Sequence, residues 1–191
     1  MGLLVVISSP SGGGKDSVIN ELLKIIPNSV RLVTTTSRDL RPGNENGVDY
    51  YFVSKEDFKN KIENDEMVEH NNYVGNYYGI EKNKLVEALI KNEVVFTQIE
   101  VNGKHNLDKQ GIKHLAIFLL PDSLDNLADR IRKRKGVSEE KIKERLETAK
   151  QEIEKSVDYD YKIVNKEGEL ADTITKVRQI IEEKLSIDKK D

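Results

Sequence analysis

The sequence predicts an α/β fold in which a parallel sheet is flanked by helices on both faces. Short apolar or β-branched runs alternate with amphipathic helical patterns along most of the 191 residues, and this alternation is typical of parallel sheets. The segment 37–80 breaks the alternation, which indicates a subdomain inserted into the sheet-forming core.

The individual elements follow from local patterns. The apolar run Leu3–Ser8 predicts a buried strand, Asp16–Ile26 predicts the helix after it, and the β-branched run Val30–Thr36 predicts a second strand. Ser54 is the expected N-cap of a helix in the inserted segment, because Asp57 follows three residues later. Further elements are predicted at Tyr50–Val53 (strand), Met67–Ile80 (antiparallel strands), Lys82–Lys91 (helix), Glu93–Ile99 (strand), Gly103–Gln110 (helix), His114–Leu120 (strand), Tyr161–Val164 (strand) and Glu169–Leu185 (helix).

The region before the last strand predicts a helical lid. Asp122 is expected to cap a helix that runs into the basic cluster 130–135, Gly136 is expected to end it, and Ser138 is expected to cap a long charged helix to about Ser156. The expected organisation is a single domain, 1–191. Its parts are a core (1–33, 81–125 and 157–191), an insert (34–80) and a lid (about 126–156).

Composition limits the function classes. Hydrophobic residues make up 37% of the chain and charged residues 34%, with a net charge of −3, so no global positive field favours nucleic acid or an anionic membrane. The chain has no cysteine, which excludes disulfides, thiolate metal sites and a cysteine nucleophile. The N-terminal apolar run is too short to span a membrane. Cytoplasmic residence is therefore expected.

A glycine-rich loop organises the chain. Ser8-Ser9-Pro10-Ser11-Gly12-Gly13-Gly14-Lys15-Asp16-Ser17 lies between a predicted strand and a predicted helix, which is the context of a phosphate-binding P-loop. Backbone N–H groups freed by the glycines form an anion nest, and the helix N-terminus adds partial positive charge. Lys15 supplies a point charge for the outer phosphates. The alternative is a flexible surface turn that happens to hold a lysine.

Three other patterns point to anion or base binding, each with a simpler alternative. Arg38 and Arg41 share one polar loop and can grip a phosphate bidentately, unless they are only surface arginines. Glu69 lies in a neutral, aromatic stretch and can accept from two adjacent donors, unless it is only solvated. The cluster 130–135 can bind phosphates, unless it only complements the dipole at a helix end.

At these residues the chain resembles guanylate kinase, the enzyme that phosphorylates GMP with ATP. The resemblance covers nearly the whole chain. Its segments are S-S-P-S-G-G-G-K at 8–15, T-T-S-R-D-L-R-P-G at 35–43, G-V-D-Y-Y-F-V at 47–53, E-H at 69–70, G-N-Y-Y-G at 75–79, the Arg130–Arg134 lid and Y-D-Y-K-I-V-N at 159–165. It implies a P-loop NTPase-type sheet with a GMP-binding insert and a helical lid.

The resemblance also implies site residues. Residues matching the ATP site are Ser11, Gly12, Gly13, Gly14, Lys15, Asp16, Ser17 and, near the adenine, Asn165. Residues matching the GMP site are Thr34 at guanine O6, Glu69 at guanine N1 and N2, Arg38, Arg41, Tyr50 and Tyr78 at the phosphate, and Glu100. Residues matching the catalytic clamp are Lys15, Arg38, Arg130, Arg134 and Arg145.

Departures from the family pattern concentrate at these positions. Asp16 stands where the P-loop usually has a hydroxyl that touches Mg²⁺, and Gln98 stands where the family usually has an aspartate. Asp16 is therefore a candidate Mg²⁺ ligand that takes over part of the role lost at Gln98. Ile80 replaces a usual Ser/Thr that reaches guanine O6, and Asn44 replaces a usual glutamate.

The leading hypothesis is ATP-dependent phosphorylation of GMP to GDP with Mg²⁺ as cofactor. One alternative is a related kinase with another phosphorylated acceptor, because G-K-D-S also looks like the P-loop of ribose bisphosphate phosphokinase. Another is a nucleotide-binding module with weakened catalysis. The expected partners are ATP and GMP, without nucleic acid or membrane, in a monomer or homodimer.

Overall fold

The computed structural model describes residues 1–73, 75–133 and 138–188. Its contacts divide the chain into two compact units. The first unit consists of Met1–Leu4, Asn28–Thr97 and Asn102–His114, and the second of Val5–Pro27, Gln98–Val101 and Leu115–Asp191. None of the described helices is long and apolar enough to cross a membrane.

Strands and helices alternate along most of the described chain, as the sequence predicts, and several strands follow one another directly between residues 29 and 81. In order they are β1 (Leu3–Ser8), α1 (Lys15–Ile25), β2 (Ser29–Arg31), β3 (Thr35–Thr36), β4 (Tyr51–Phe52), α2 (Lys55–Glu63), β5 (Met67–Tyr73), β6 (Asn76–Glu81), α3 (Lys82–Lys91), β7 (Val94–Thr97), α4 (Val101–Lys109), β8 (Leu115–Pro121), α5 (Leu124–Arg132), α6 (Glu139–Lys155), a short 3₁₀ turn (Ser156–Asp158), β9 (Tyr161–Asn165) and α7 (Leu170–Asp188).

The larger sheet is the parallel sheet that the sequence predicts. Its strand order is β2-β7-β1-β8-β9, with β2 parallel to β7, and β8 parallel to both β1 and β9. All six residues of β1 are buried, which explains its continuous apolar run, because a parallel strand is covered on both faces. β1 ends at Ser8, where the glycine-rich loop begins.

A second, four-stranded sheet lies in the first unit. Its order is β4-β3-β6-β5, and β5 and β6 form the antiparallel pair predicted for Met67–Ile80. Ser54 caps α2 as expected, because its Oγ accepts from the Asp57 backbone N at 2.9 Å. Two of the residues predicted to bind the acceptor, Glu69 and Tyr78, lie on its strands, and Thr34, Arg38 and Tyr50 lie close in sequence to β3 and β4.

One predicted strand is wrong. Val30–Thr36 is not continuous, since β2 belongs to the parallel sheet and β3 to the second sheet. The Leu32 backbone N still donates to Phe96 O at 2.8 Å, whereas the Thr34 carbonyl already accepts from Tyr51 N at 2.9 Å. β-branched residues favour both strands equally, so propensity could not reveal that the chain changes partner between them.

The predicted cap of α5 is also wrong by one residue. Ser123, not Asp122, is the N-cap, and its Oγ accepts from the Asn126 backbone N at 3.0 Å. Asp122 instead accepts from the Asn126 side chain at 2.8 Å and from Glu167 N at 3.3 Å. Aspartate and serine cap equally well, so the choice depends on where the helix begins. Ser138 caps α6 as predicted, while Gly136 lies outside the described residues.

Candidate active site

The glycine-rich loop has the backbone of an anion site. Gly12 and Gly14 adopt left-handed φ angles of 91° and 89°, and the Gly13 N donates to Pro10 O at 2.8 Å. A Cβ on Gly13 would lie 2.7 Å from the Cβ of Ser9, so a larger residue does not fit there. Left-handed turns of this kind direct successive N–H groups into one concavity.

The N-terminus of α1 completes this concavity. Gly14 is the N-cap of the 11-residue helix and gives it no side-chain cap, so the first N–H groups of α1 are not covered by a capping side chain. Lys15 begins the helix and Asp16 lies in its first turn. The arrangement favours an anion at the helix N-terminus.

A cavity of about 370 Å³ opens beside the loop. Charged and polar side chains supply much of its wall. The lining residues are Gly12, Gly14, Lys15, Asp16, Ser17, Arg130, Lys133, Asn165, Lys166, Glu167, Gly168 and Leu170. Six of the predicted ATP-site residues therefore share one cavity with Arg130, which the sequence analysis assigns to the predicted lid.

Asn165 packs directly against the loop. Its Nδ2 donates to the Gly13 carbonyl at 2.9 Å, and its Oδ1 accepts from Thr173 Oγ1 at 3.0 Å. A Cβ on Gly14 would lie 2.5 Å from Asn165 Nδ2, so this contact also requires glycine at position 14. Asn165 therefore contacts the glycine-rich loop. Its predicted position near the adenine stays a prediction.

The predicted lid arginines fall into three situations. Arg130 donates to Glu167 Oε2 at 2.7 Å and to the Asn165 carbonyl at 3.0 Å. Arg145, on α6, extends to the loop and approaches Ser11 Oγ at 3.5 Å. Arg134 lies outside the described residues.

Residues 98–101 add oxygen groups to the second unit. The Gln98 Oε1 is buried and has no hydrogen-bond partner within the described protein. Ser8 Oγ donates to the Ile99 carbonyl at 2.7 Å and accepts from Tyr159 Oη at 2.7 Å, which fixes this segment beside the end of β1. Buried acceptors without partners are uncommon in folded proteins and often mark a place for water or an ion.

Glu152 on α6 interacts electrostatically with Glu100 and with Lys15 of the glycine-rich loop. Its pKa is raised to about 7, chiefly by burial and then by the negative charge of Glu100, against the lowering effect of Lys15 and Lys155. Sequence reasoning did not select Glu152. A signal existed, since Glu152 lies seven residues after Arg145, which is about two turns along one helix face.

The first unit holds a separate cationic and aromatic cluster. The Arg38 guanidinium carbon lies 5.6 Å from the ring centroids of both Tyr50 and Phe52, and the rings of Tyr50 and Tyr78 are 6.0 Å apart. Arg38 Nη2 donates to Asn44 Oδ1 at 2.9 Å. We call Arg38, Asn44, Tyr50, Phe52 and Tyr78 the acceptor cluster. It joins three predicted phosphate ligands from distant parts of the sequence.

The other predicted acceptor residues lie elsewhere in the chain. Arg41 is exposed on the turn that the Asn44 N closes by donating to the Arg41 carbonyl at 2.9 Å, and it is not part of the acceptor cluster. Thr34 precedes β3, and Glu69 is buried on β5 opposite Ile80. Glu100 belongs to the second unit.

Comparisons with known proteins identify the family. A family model described as guanylate kinase matches residues 1–184. A guanylate kinase from Desulfitobacterium hafniense is 39% identical over 180 residues, covering 94% of this chain and 89% of that protein. One from Streptococcus pneumoniae is 43% identical over 171 residues, covering 89% and 82%. The crystal structure of guanylate kinase from Anaplasma phagocytophilum superposes with a TM-score of 0.74 at 30% identity, covering 96% and 86%.

The chain belongs to the guanylate kinase family. Three predictions are thereby confirmed: the resemblance, the α/β fold, and the class of enzyme, a nucleoside monophosphate kinase that transfers a phosphoryl group. ATP-dependent phosphorylation of GMP is confirmed at the level of this family, whose phosphoryl donor is ATP. Nothing in the comparisons favours a ribose bisphosphate phosphokinase-like acceptor.

The four-stranded sheet of the first unit contains an ionic network around the buried Glu81 that the sequence did not reveal. Thr35 Oγ1 donates to Glu81 Oε1 at 2.5 Å, and Lys61 Nζ binds Glu81 Oε2 at 2.8 Å. Burial alone would raise the pKa of Glu81, but the hydrogen bonds from Lys61 and Thr35 bring it below its usual value. The pKa of Lys61 is raised, chiefly by its hydrogen bond to Glu81. The network joins α2, β3 and β6.

Proposed function

We propose that this chain phosphorylates GMP from ATP, with Mg²⁺, by means of two anion-binding groups. The observation that carries the proposal is the second group. A kinase that accepts a phosphorylated substrate needs a grip for that phosphate in addition to the P-loop, and Arg38 beside Tyr50 and Tyr78 supplies one cation and two hydroxyls. A nucleotide-binding module would not need it.

On the donor side, the proposal assigns the ATP phosphates to the loop Ser11–Ser17. The left-handed glycines and the N-terminus of α1 present N–H groups, and Lys15 adds positive charge. Arg145, which approaches Ser11 Oγ, and Arg130, which lines the same cavity, neutralise charge on the transferring group. From the resemblance to the family, the proposal also assigns Arg134 to this clamp and Asn165 to the adenine.

On the acceptor side, the proposal assigns the GMP phosphate to Arg38, Arg41, Tyr50 and Tyr78. Glu69 accepts from guanine N1 and N2, and Thr34 faces guanine O6. Burial of Glu69 supports its role, because a buried carboxylate selects a base edge with two adjacent donors over one without them. The resemblance to the family also assigns Glu100 to GMP.

The oxygen groups of the second unit fit Mg²⁺. Mg²⁺ prefers hard oxygen ligands and is usually held by one or two carboxylates together with substrate phosphates and water. Asp16 lines the cavity beside the P-loop, and Gln98 offers a buried Oε1 without a partner within the described protein. Asp16 would hold the ion, directly or through water, while the neutral Gln98 amide would offer an acceptor oxygen without the negative charge of the family's usual aspartate. When bound, Mg²⁺ neutralises charge on the transferring phosphoryl group.

The test is a coupled ADP-release assay with ATP and a panel of acceptors: GMP, AMP, UMP and ribose phosphates. We expect turnover with GMP and little with the others, together with loss of turnover in Lys15→Met. Preference for a ribose phosphate would support the alternative kinase. ATP binding without turnover on any acceptor would support the binding module.

Three predictions remain untested: the monomeric or homodimeric state, cytoplasmic residence, and the division of the chain into core, insert and lid.

A further inference from the structure

The peptide between Gly13 and Gly14 is held from the side of the loop that faces β9 and α7. The Gly13 carbonyl accepts from Asn165 Nδ2 at 2.9 Å, and Asn165 is only 5% exposed. In a trans peptide the carbonyl and the following N–H point in opposite directions. Because the Gly13 carbonyl points to Asn165, the Gly14 N–H points away from it. Asn165 therefore sets the direction of one loop donor.

The orientation of the Asn165 amide is set in turn by Thr173. Thr173 lies on α7, is 2% exposed, and donates from Oγ1 to Asn165 Oδ1 at 3.0 Å. The two ends of an amide differ chemically, since only the NH₂ can donate to the Gly13 carbonyl and only the oxygen can accept from the hydroxyl. A threonine hydroxyl in a helix often bonds to the carbonyl four residues earlier. Here it is directed at Asn165 instead.

Asn165 is also fixed through its backbone. Arg130 Nη2 donates to the Asn165 carbonyl at 3.0 Å, so the residue is held at its main chain by α5 and at its side chain by α7 and the loop. A rotated amide would bring Asn165 Oδ1 against the Gly13 carbonyl, which places two acceptors together. Without the Thr173 hydroxyl, Oδ1 would be buried without a partner, and the amide would lose one of the two contacts that hold it.

We propose that Thr173 is a positioning residue for the donor phosphates: it orients the Asn165 amide, which orients the Gly13–Gly14 peptide and presents the Gly14 N–H to the anion. Thr173 is absent from the residues that line the nucleotide cavity, so it acts through Asn165. The inference rests on the proposed function of the loop as the site of the ATP phosphates. It adds a residue of α7 to the determinants of ATP affinity.

The experiment compares Thr173→Val with Thr175→Val. Both substitutions remove a hydroxyl from α7 and keep the shape, but Thr175 is exposed and donates to Ala171 O at 2.9 Å within the helix. We expect Thr173→Val to raise the KM for ATP about tenfold, corresponding to loss of one buried hydrogen bond. The KM for GMP and kcat should stay within about twofold of wild type, because the effect concerns donor binding. Thr173→Ser should restore the KM for ATP, and Thr175→Val should leave it unchanged.

Two further measurements separate the possible failures. Titration of each variant with a fluorescent ATP analogue, without GMP, reports donor affinity independently of turnover. If the wild-type protein does not bind the analogue, the proposed function of the loop fails. If it binds and Thr173→Val equals Thr175→Val, or if the KM for GMP rises as much as the KM for ATP, this inference is overturned. Should Thr173→Val not fold, Asn165→Asp tests the same relay, since it keeps the acceptor for Thr173 but removes the donor to Gly13. An unchanged affinity in Asn165→Asp would also overturn it.

Discussion

Arg38 and Asn44 lie side by side, and the guanidinium Nη2 donates to the amide Oδ1 at 2.9 Å. The amide orients the guanidinium without neutralising it. A carboxylate at position 44, which is usual in the family pattern, would make the same contact but would cancel part of the positive charge offered to an acceptor phosphate.

Asn44→Asp is therefore expected to raise the KM for GMP by about three- to tenfold, because a new negative charge near the acceptor phosphate repels it. The kcat should change little, since the contact is the same in the ground and transition states. Steady-state kinetics at two salt concentrations would check this, and the effect should shrink at high salt. Asn83→Asp, at an exposed position on α3, is the matched control. A similar KM in both variants would contradict the charge argument.

Loss of the buried carboxylate at position 81 should destabilise the protein. Glu81→Gln weakens contacts to Thr35 and Lys61, and the expected decrease in the free energy of unfolding at pH 7 is about 1–3 kcal/mol. Glu66→Gln is the control, because Glu66 also pairs with Lys61 but its side chain is 45% exposed, and it should cost less than about 0.5 kcal/mol.

The same pair of variants gives a pH prediction. Because the pKa of Glu81 is lowered in the folded state, its stabilisation is present above the usual glutamate pKa and is lost as pH falls through the folded-state pKa. Urea unfolding of wild type and Glu81→Gln should therefore converge at acidic pH. A difference that stays constant from neutral to acidic pH would show that packing, not charge, explains the loss.

Glu152 should show the opposite dependence. Its pKa is raised to about 7, so the folded protein holds a proton that the unfolded chain releases near the usual pKa. The stability that this proton contributes is present below the unfolded pKa and is lost as pH rises through about 7. Glu152→Gln should be more stable than wild type at alkaline pH by about 1 kcal/mol, after allowance for partial exposure, and equal to it under acidic conditions.

Thermal unfolding across this pH range would measure the difference. Glu154→Gln is the control, because Glu154 lies on the same helix but is exposed, and it should match wild type throughout. Equal profiles for the two variants would contradict a special environment at Glu152.

Asp16 and Gln98 should be coupled through Mg²⁺. We expect Asp16→Ser to lower the free Mg²⁺ needed for half-maximal turnover, since a carboxylate beside phosphates adds repulsion that the metal must offset. Gln98→Asp should reduce activity in the wild-type background and improve it in the Asp16→Ser background. Mg²⁺ titrations of the four proteins would measure this coupling. Independent effects of the two substitutions would show that Asp16 does not replace a ligand lost at Gln98.

Local features were predictable from the sequence because local chemistry determines them. The helix predicted at Lys82–Lys91 is present with the same bounds, and Ser54 and Ser138 cap helices as expected. The glycine-rich loop was recognisable because its functional groups are consecutive in the chain. Periodicity and capping act over a few residues, so sequence alone contains them.

Contacts between distant elements were not predictable in this way. The family pattern indicated Arg38, Tyr50 and Tyr78, but neither spacing nor composition showed that Asn44 would orient Arg38. Thr173 and Glu81 gave no local signal, because their partners lie on other elements and their burial depends on the tertiary fold. The prediction of one continuous strand at Val30–Thr36 was wrong for the same reason, because the pairing partners of each half decide which sheet that half joins.

The division of the chain into two compact units has a consequence for how its specificity can change. The residues proposed for ATP belong to the second unit, whereas those proposed for GMP belong to the first, apart from Glu100. Substitutions at Asn44 or Ile80 therefore alter acceptor preference without disturbing the residues that support Gly13. Proteins with this fold can therefore change their preference for the acceptor during evolution while the residues that bind the donor stay the same.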